Sequence, residues 1–125
     1  MHRPTVLIVD DHAAFRAAAH ELLTRSGFMV IGEADSGRAA VRMAAQVHPT
    51  VVILDVRLPD LDGFEVTRQL LAGQEPPAIV LVSTREATDY GRQLRDSGAR
   101  GFITKSNLSG DTLHAILRGD KEAPT

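Results

Sequence analysis

Five short apolar runs alternate with longer segments of helical periodicity along this chain: Val6–Val9, Met29–Ala34, Val51–Leu54, Ile79–Val82 and Gly101–Thr104. Most of these runs are rich in β-branched residues and bounded by polar or turn-forming ones, the pattern of strands buried on both faces. Strands that alternate strictly with helices build a parallel sheet covered on both sides, joined by right-handed crossovers. In such an open sheet the carboxyl ends of the strands lie along one edge, and ligands bind there. A strand order of 2-1-3-4-5 puts the first strand beside the third, at the switch point of that edge.

The intervening segments carry helix signals. His12–Arg25 repeats Phe15, Ala18, Ala19, Leu22 and Leu23 on one face, and Gly27 stands where a left-handed cap is favoured. Ser36 is placed to cap a helix over Gly37–Val47, with Ala40, Val41, Ala44 and Val47 inward and Pro49 as its stop. Arg57–Leu61 reads as a loop. Asp62 and Glu65 read as a capping box before Phe64, Val66, Leu70 and Leu71, in a helix ending near Gly73. A fourth helix is expected over Thr88–Ser97 with Leu94 inward, weakened by Gly91, which costs about 1 kcal/mol relative to Ala in a helix interior. Ser109 caps a last helix with Leu113, Ile116 and Leu117 as its apolar positions.

At 125 residues the chain is one domain by size, long enough to bury a core without staples. It has no cysteine, so disulfides and thiolate metal sites are excluded, in keeping with a cytoplasmic setting. The net charge is −2 and no basic stripe stands out, which argues against nucleic-acid binding by this domain itself. No apolar stretch approaches the roughly 18 residues of a membrane span, and residues 1–5 do not resemble a secretory signal. Residues 1–118 form the domain, and residues 119–125 read as a flexible tail or the start of a linker.

The polar residues at the strand ends carry the chemistry. Asp10 and Asp11 follow the first run, Asp55 the third, Ser83 the fourth and Lys105 the fifth. Asp11 alone would be an ordinary helix cap, Asp55 an ordinary turn opener, Ser83 a turn residue and Lys105 a solvated lysine. Gathered at one edge they are something else. Like charges raise each other's pKa unless a cation intervenes. Mg²⁺ binds through one or two carboxylates plus water and phosphate oxygens. A carboxylate can form an aspartyl phosphate, which makes Asp55 a candidate nucleophile. A hydroxyl can donate to a phosphoryl oxygen, and a lysine can meet it as a compact positive charge. The five histidines show no metal-ligand spacing, no Gly-rich phosphate loop is present, and no serine sits in a nucleophile-elbow context.

These residues resemble a known family. Ile8-Val9-Asp10-Asp11-His12, Leu54-Asp55-Val56-Arg57-Leu58-Pro59 with Asp62-Gly63, Val82-Ser83-Thr84 and Gly98-Ala99-Arg100-Gly101-Phe102-Ile103-Thr104-Lys105 are similar to the receiver domains of bacterial two-component response regulators. The likeness runs from about Val6 to Leu117 and is greatest for the subfamily that often carries a helix-turn-helix output domain. The resemblance implies an α/β, flavodoxin-like doubly wound (βα)5 fold. It implies that Asp55 accepts a phosphoryl group from a sensor histidine kinase. It further implies Mg²⁺ (or Mn²⁺) held by Asp10, Asp11, Asp55 and the backbone carbonyl of Arg57. Ser83, Thr84 and Lys105 would bind the phosphoryl group, and Ser83 and Phe102 would move as the switch. A homodimer is compatible with it, as is control of a transcriptional output. The helix containing Gly91 is the expected mobile element, because its intrinsic stability is low.

Three departures stand out. Ser106 follows Lys105 where many members have proline, so a trans bond is expected there. Thr84 is bulkier than the small residue common at its position, and Arg85 adds a cation. Two other functions could use such residues. A Mg²⁺-dependent phosphohydrolase similar to the haloacid dehalogenase family would need an acid at position 13, which is Ala13. A phosphate-independent interaction module would not need Asp10, Asp11, Asp55, Ser83 and Lys105 all intact. A domain of this kind phosphorylates itself and is not an enzyme acting on metabolites. Only twenty residues follow Lys105, too few for a helix-turn-helix, so a stand-alone receiver and a piece of a longer transcription factor are both open.

Overall fold

The computed structural model describes residues 3–119. Its elements follow in the order β1 (Thr5–Val9), α1 (Ala13–Arg25), β2 (Met29–Ala34), α2 (Gly37–Val47), β3 (Val51–Asp55), α3 (Gly63–Leu71), β4 (Ala78–Ser83), α4 (Arg92–Arg95), β5 (Gly101–Thr104) and α5 (Gly110–Leu117). The strands form one parallel sheet in the order β2-β1-β3-β4-β5. The parallel sheet expected from the alternation, and the flavodoxin-like (βα)5 architecture that the resemblance implies, are the ones observed.

Strand side chains alternate between the two faces of the sheet, and each face is apolar. Val6, Ile8, Ile53, Val80, Val82 and Ile103 pack with Leu23 of α1 and with Leu113 and Ile116 of α5. Leu7, Val9, Val52, Leu54, Ile79 and Leu81 pack with Ala40 and Ala44 of α2 and Val66 and Leu70 of α3. This explains the continuous apolar runs, since a strand covered on both sides has no solvent face.

The caps stand largely where the sequence puts them. Ser36 accepts from the Ala39 amide and Ser109 from the Thr112 amide. Gly27 has φ +94° after α1. Asp62 accepts from the Glu65 amide, but Glu65 does not complete a capping box. Its carboxylate turns along the helix to Arg68 and Gln69 instead, which holds it well below the usual range, at about 2. Ala18 and Val47, expected inward, are exposed, and Val47 retains 38% of its accessible surface.

The largest departure is the fourth helix. Residues 88–97 do not form one helix. A 3-10 turn spans Ala87–Asp89, and only Arg92–Arg95 are α-helical. Between them Gly91 adopts φ +56° and ψ −124°, which a helix cannot accommodate. The glycine does not weaken a helix here; it ends one segment and starts another. Leu94 is nevertheless partly buried against the α2–α3 side of the core.

Candidate functional site

The β1–β3 pairing, with Val9 opposite Leu54, brings the ends of those strands side by side. β3 ends on Asp55 and β4 on Ser83, while Lys105 opens a 3-10 turn directly after β5. A cleft of about 310 Å³ opens there, lined by Asp11, His12, Asp55, Arg57, Leu58, Pro59, Ser83, Thr84 and Lys105. A larger cavity of about 560 Å³ lies among the carboxyl-terminal ends of α2 and α3, but its ionisable lining is limited to His48 and Glu75. Chemistry rather than size therefore picks out the smaller cleft.

Asp10, Asp11, His12 and Asp55 each offer an atom able to ligate a metal, and these atoms all lie within 4.8 Å of one another. Asp10 and Asp55 are buried, whereas Asp11 and His12 face solvent. The Lys105 ammonium lies 2.6 Å from Asp10 Oδ2 and 3.3 Å from Asp55 Oδ2. It also sits 4.6 Å above the centre of the Phe15 ring, a cation–π position. The Asp55 carboxylate accepts the Arg57 amide at 3.3 Å, which turns the following loop back over the acid. Gly63 closes that loop by donating its amide to the Val56 carbonyl at 2.7 Å.

Burial shifts the two buried acids in the same direction, and their neighbours then separate them. Burial raises Asp55, the Asp10 charge raises it further, and Lys105 and the Arg57 amide only partly offset this; Asp55 stands at about 6. Burial also raises Asp10, but Lys105 and the His12 amide overcome it and hold Asp10 below its usual range. Burial lowers Lys105, but Asp10 and Asp55 more than compensate, so its pKa is raised. At neutral pH the centre therefore holds buried carboxylates against one ammonium. Asp10 Oδ2 is buried and meets Lys105 as an ion pair without an aligned hydrogen bond. An oxygen-rich cluster with an incompletely satisfied buried carboxylate oxygen suits a hard divalent cation such as Mg²⁺ or Mn²⁺.

The structure thus brings Asp10, Asp11, Asp55 and Lys105 into one group, with Arg57, Ser83 and Thr84 on the cleft wall. Asp11 does not cap α1: His12 occupies that position, and no side chain caps the helix. Phe102 lies outside the cleft, in the core on the α2–α3 side, with its ring 5.9 Å from that of Tyr90. Period-two alternation explains this, because Ile103 takes the opposite face, toward α1 and α5.

Three contributors were not legible in the sequence. His12, which has no metal-ligand spacing to another histidine, places Nδ1 3.0 Å from Asp10 and 3.1 Å from Asp11. Arg16 donates to the Asp10 carbonyl at 2.6 Å and pairs with Glu33, fixing the turn that carries both acids. Tyr90 bonds Ser83 Oγ through its hydroxyl at 2.6 Å. Nearness of His12 to the acid pair was the one available signal; Arg16 and Tyr90 had none.

Comparison with known proteins agrees with this geometry. The family model for the response regulator receiver domain matches residues 6–118. The response regulator GacA of Pseudomonas aeruginosa is 37% identical over 112 residues, covering 89% of this chain and 52% of GacA. The virulence-factor transcription regulator BvgA of Bordetella pertussis is 34% identical over 116 residues, covering 93% of this chain and 54% of BvgA. The chain spans about half the length of these curated relatives. Among solved structures, the signal receiver domain of the response regulator NarL from Mycobacterium tuberculosis superposes with a TM-score of 0.85 at 30% identity, covering 97% of this chain and 98% of that one. A LuxR-family two-component response regulator from Aurantimonas gives 0.86 at 26% identity, covering 97% and 89%. Among the described residues no helix is long and apolar enough to cross a membrane.

Proposed function

The chain belongs to the response regulator receiver domain family, and from that premise we propose that Asp55 is its phosphoacceptor in a two-component phosphorelay. One observation carries the reading: Asp55, the least acidic of the buried carboxylates, lies at the floor of an open cleft between an acid cluster and Lys105. Above about pH 6 its carboxylate is free to attack. One Asp55 oxygen bonds phosphorus as the P–N bond to a phosphohistidine of a sensor kinase breaks, and the imidazole takes up a proton. Such transfer through a loose transition state needs alignment and charge neutralisation more than covalent help.

Asp10, Asp11, Asp55 and the Arg57 backbone carbonyl would hold the Mg²⁺ (or Mn²⁺), which neutralises charge on the transferring phosphoryl group. Lys105 shifts from its carboxylate partners toward the phosphoryl oxygens. Ser83 and Thr84, which also line the cleft, supply hydroxyl donors. The domain phosphorylates and dephosphorylates itself and does not act on metabolites. It works in the cytoplasm, and the switch of Ser83 and Phe102 changes a surface read by a second copy, a partner or an attached output domain. The receiver unit comprises residues 1–118, and residues 119–125 are either a tail or the start of a linker. Apart from Gly119, that tail lies outside the described residues.

Incubation with acetyl phosphate and Mg²⁺, followed by intact mass, tests this. The expected result is the gain of one phosphoryl group in the parent chain and none in Asp55→Asn. A gain that survives in Asp55→Asn removes Asp55 from the role.

A further inference from the structure

The Ser83 hydroxyl makes no hydrogen bond to Asp55. It bonds the Tyr90 hydroxyl at 2.6 Å and accepts the Arg85 amide at 3.0 Å, both from the segment that follows β4. Ser83 itself is buried. A serine hydroxyl has one proton to give and two lone pairs. The amide of Arg85 takes one lone pair and Tyr90 takes either the proton or the other. Both partners draw the oxygen to the same side, toward residues 85–90.

Tyr90 is firmly seated. Its ring lies 5.7 Å from that of Phe64 on α3 and 5.9 Å from that of Phe102 on β5. The backbone around it is held weakly by comparison. A three-residue 3-10 turn precedes Tyr90, Gly91 with φ +56° follows it, and the next helix has four residues. None of the residues in either short element is fully buried. The ring and the hydroxyl of Tyr90 are therefore principal ties between this segment and the rest of the molecule.

We propose that Tyr90 is a latch: its hydroxyl holds Ser83 in a resting orientation, and phosphorylation of Asp55 exchanges the Tyr90–Ser83 hydrogen bond for one from Ser83 to a phosphoryl oxygen. This inference rests on Asp55 as the phosphoacceptor and adds the residue that opposes the switch. Loss of the bond leaves the 84–95 segment held by packing of Ala87, Leu94 and the Tyr90 ring, with no side-chain hydrogen bond from Tyr90. The aromatic contact then connects the released Tyr90 to Phe102, which carries no hydroxyl of its own. The exchange breaks no covalent bond and moves no net proton.

The chain makes this directly measurable, because Tyr90 is its only tyrosine and it has no tryptophan. Tyrosine emission and near-ultraviolet absorbance thus report this one hydroxyl. Mg²⁺ with beryllofluoride, a non-transferable phosphoryl analogue, should shift that signal in the parent chain and leave it unchanged in Asp55→Asn.

Tyr90→Phe keeps the ring and deletes the bond. A net hydrogen bond is worth enough for a two- to tenfold change in an equilibrium. The variant should therefore bind Mg²⁺-beryllofluoride about two- to tenfold more tightly, where a merely structural role would weaken binding. Without any phosphoryl analogue, its amides over residues 84–95 should exchange with solvent faster, while those of β1 and β3 stay unchanged. Unaltered exchange in resting Tyr90→Phe, or equal or weaker beryllofluoride affinity, overturns the latch even if Asp55 is the acceptor. No beryllofluoride binding by the parent chain overturns both readings, and phosphoryl uptake on Asp55 with a silent Tyr90 overturns the latch alone.

Discussion

Lys105 Nζ lies closer to Asp10, at 2.6 Å, than to Asp55, at 3.3 Å, although Asp55 is the residue on which the chemistry is proposed to occur. The ammonium therefore neutralises the fully buried acid and leaves Asp55 only partly compensated. Burial and the Asp10 charge raise Asp55 to about 6, and the weaker Lys105 contact leaves that rise only partly offset, whereas Lys105 and the His12 amide hold Asp10 below the usual range.

The raised Asp55 pKa predicts a pH-dependent stability with a definite sign. The folded chain binds the Asp55 proton more tightly than the unfolded chain, whose value is near 3.8. The resulting stabilisation is full below about pH 4 and is lost as pH rises through about 6. Asp55→Asn, neutral throughout, should be more stable than the parent at pH 7.5 in chelator by about 1–3 kcal/mol. The difference should fade below pH 4. Urea unfolding at several pH values checks this, and an Asn variant less stable at pH 7.5 would mean that the Lys105 pair outweighs burial.

Removal of Lys105 should do the opposite. Lys105→Met leaves two buried carboxylates facing each other without their cation. Loss of one partner of a buried ion pair costs about 3–5 kcal/mol, so the variant should unfold well below the parent in chelator. Mg²⁺ should restore more stability to Lys105→Met than it adds to the parent, because no ammonium competes for Asp10 Oδ2. Thermal melts with and without Mg²⁺ measure both effects.

Mg²⁺ should stabilise the parent chain as any ligand of the native state does, by about 3 kcal/mol at one hundred times its dissociation constant. Its affinity should rise with pH through about 6 as Asp55 gives up its proton. Asp11→Asn should weaken the effect without the large change in metal-free stability expected of Asp55→Asn, since Asp11 is exposed. Calorimetric titration of Mg²⁺ into the three proteins separates these outcomes.

Gly91→Ala distinguishes the observed backbone from the helix expected by sequence. A helix over residues 88–97 would make alanine stabilising by about 1 kcal/mol. The observed φ of +56° with ψ −124° is open to glycine but strained for alanine, at roughly 1–3 kcal/mol. The variant should therefore be less stable, as read by its unfolding midpoint.

Local signals carried much of the fold. Apolar run length distinguished Val6–Val9 and Val51–Leu54 as strands, and Ser36, Asp62 and Ser109 marked helix starts, because each signal lies within a few residues of the structure it specifies. The same alternation led to the carboxyl edge of the sheet, and hence to Asp10, Asp11, Asp55, Ser83 and Lys105 as one group. The fourth helix failed for a local reason that periodicity does not register: Gly91 can take a backbone conformation that interrupts the segment.

The sequence by itself determined the kinds of groups at the strand ends and the strand–helix alternation that puts those ends along one edge. The tertiary structure alone decided how they are paired. Lys105 and Asp55 are 50 positions apart, and their approach depends on the register of β3, β4 and β5. The Tyr90–Ser83 bond depends on a glycine bend and on two rings from other elements. Periodicity and capping reflect interactions between near neighbours in the chain, whereas these contacts follow from sheet register, side-chain rotamers and the low dielectric of a shared cleft.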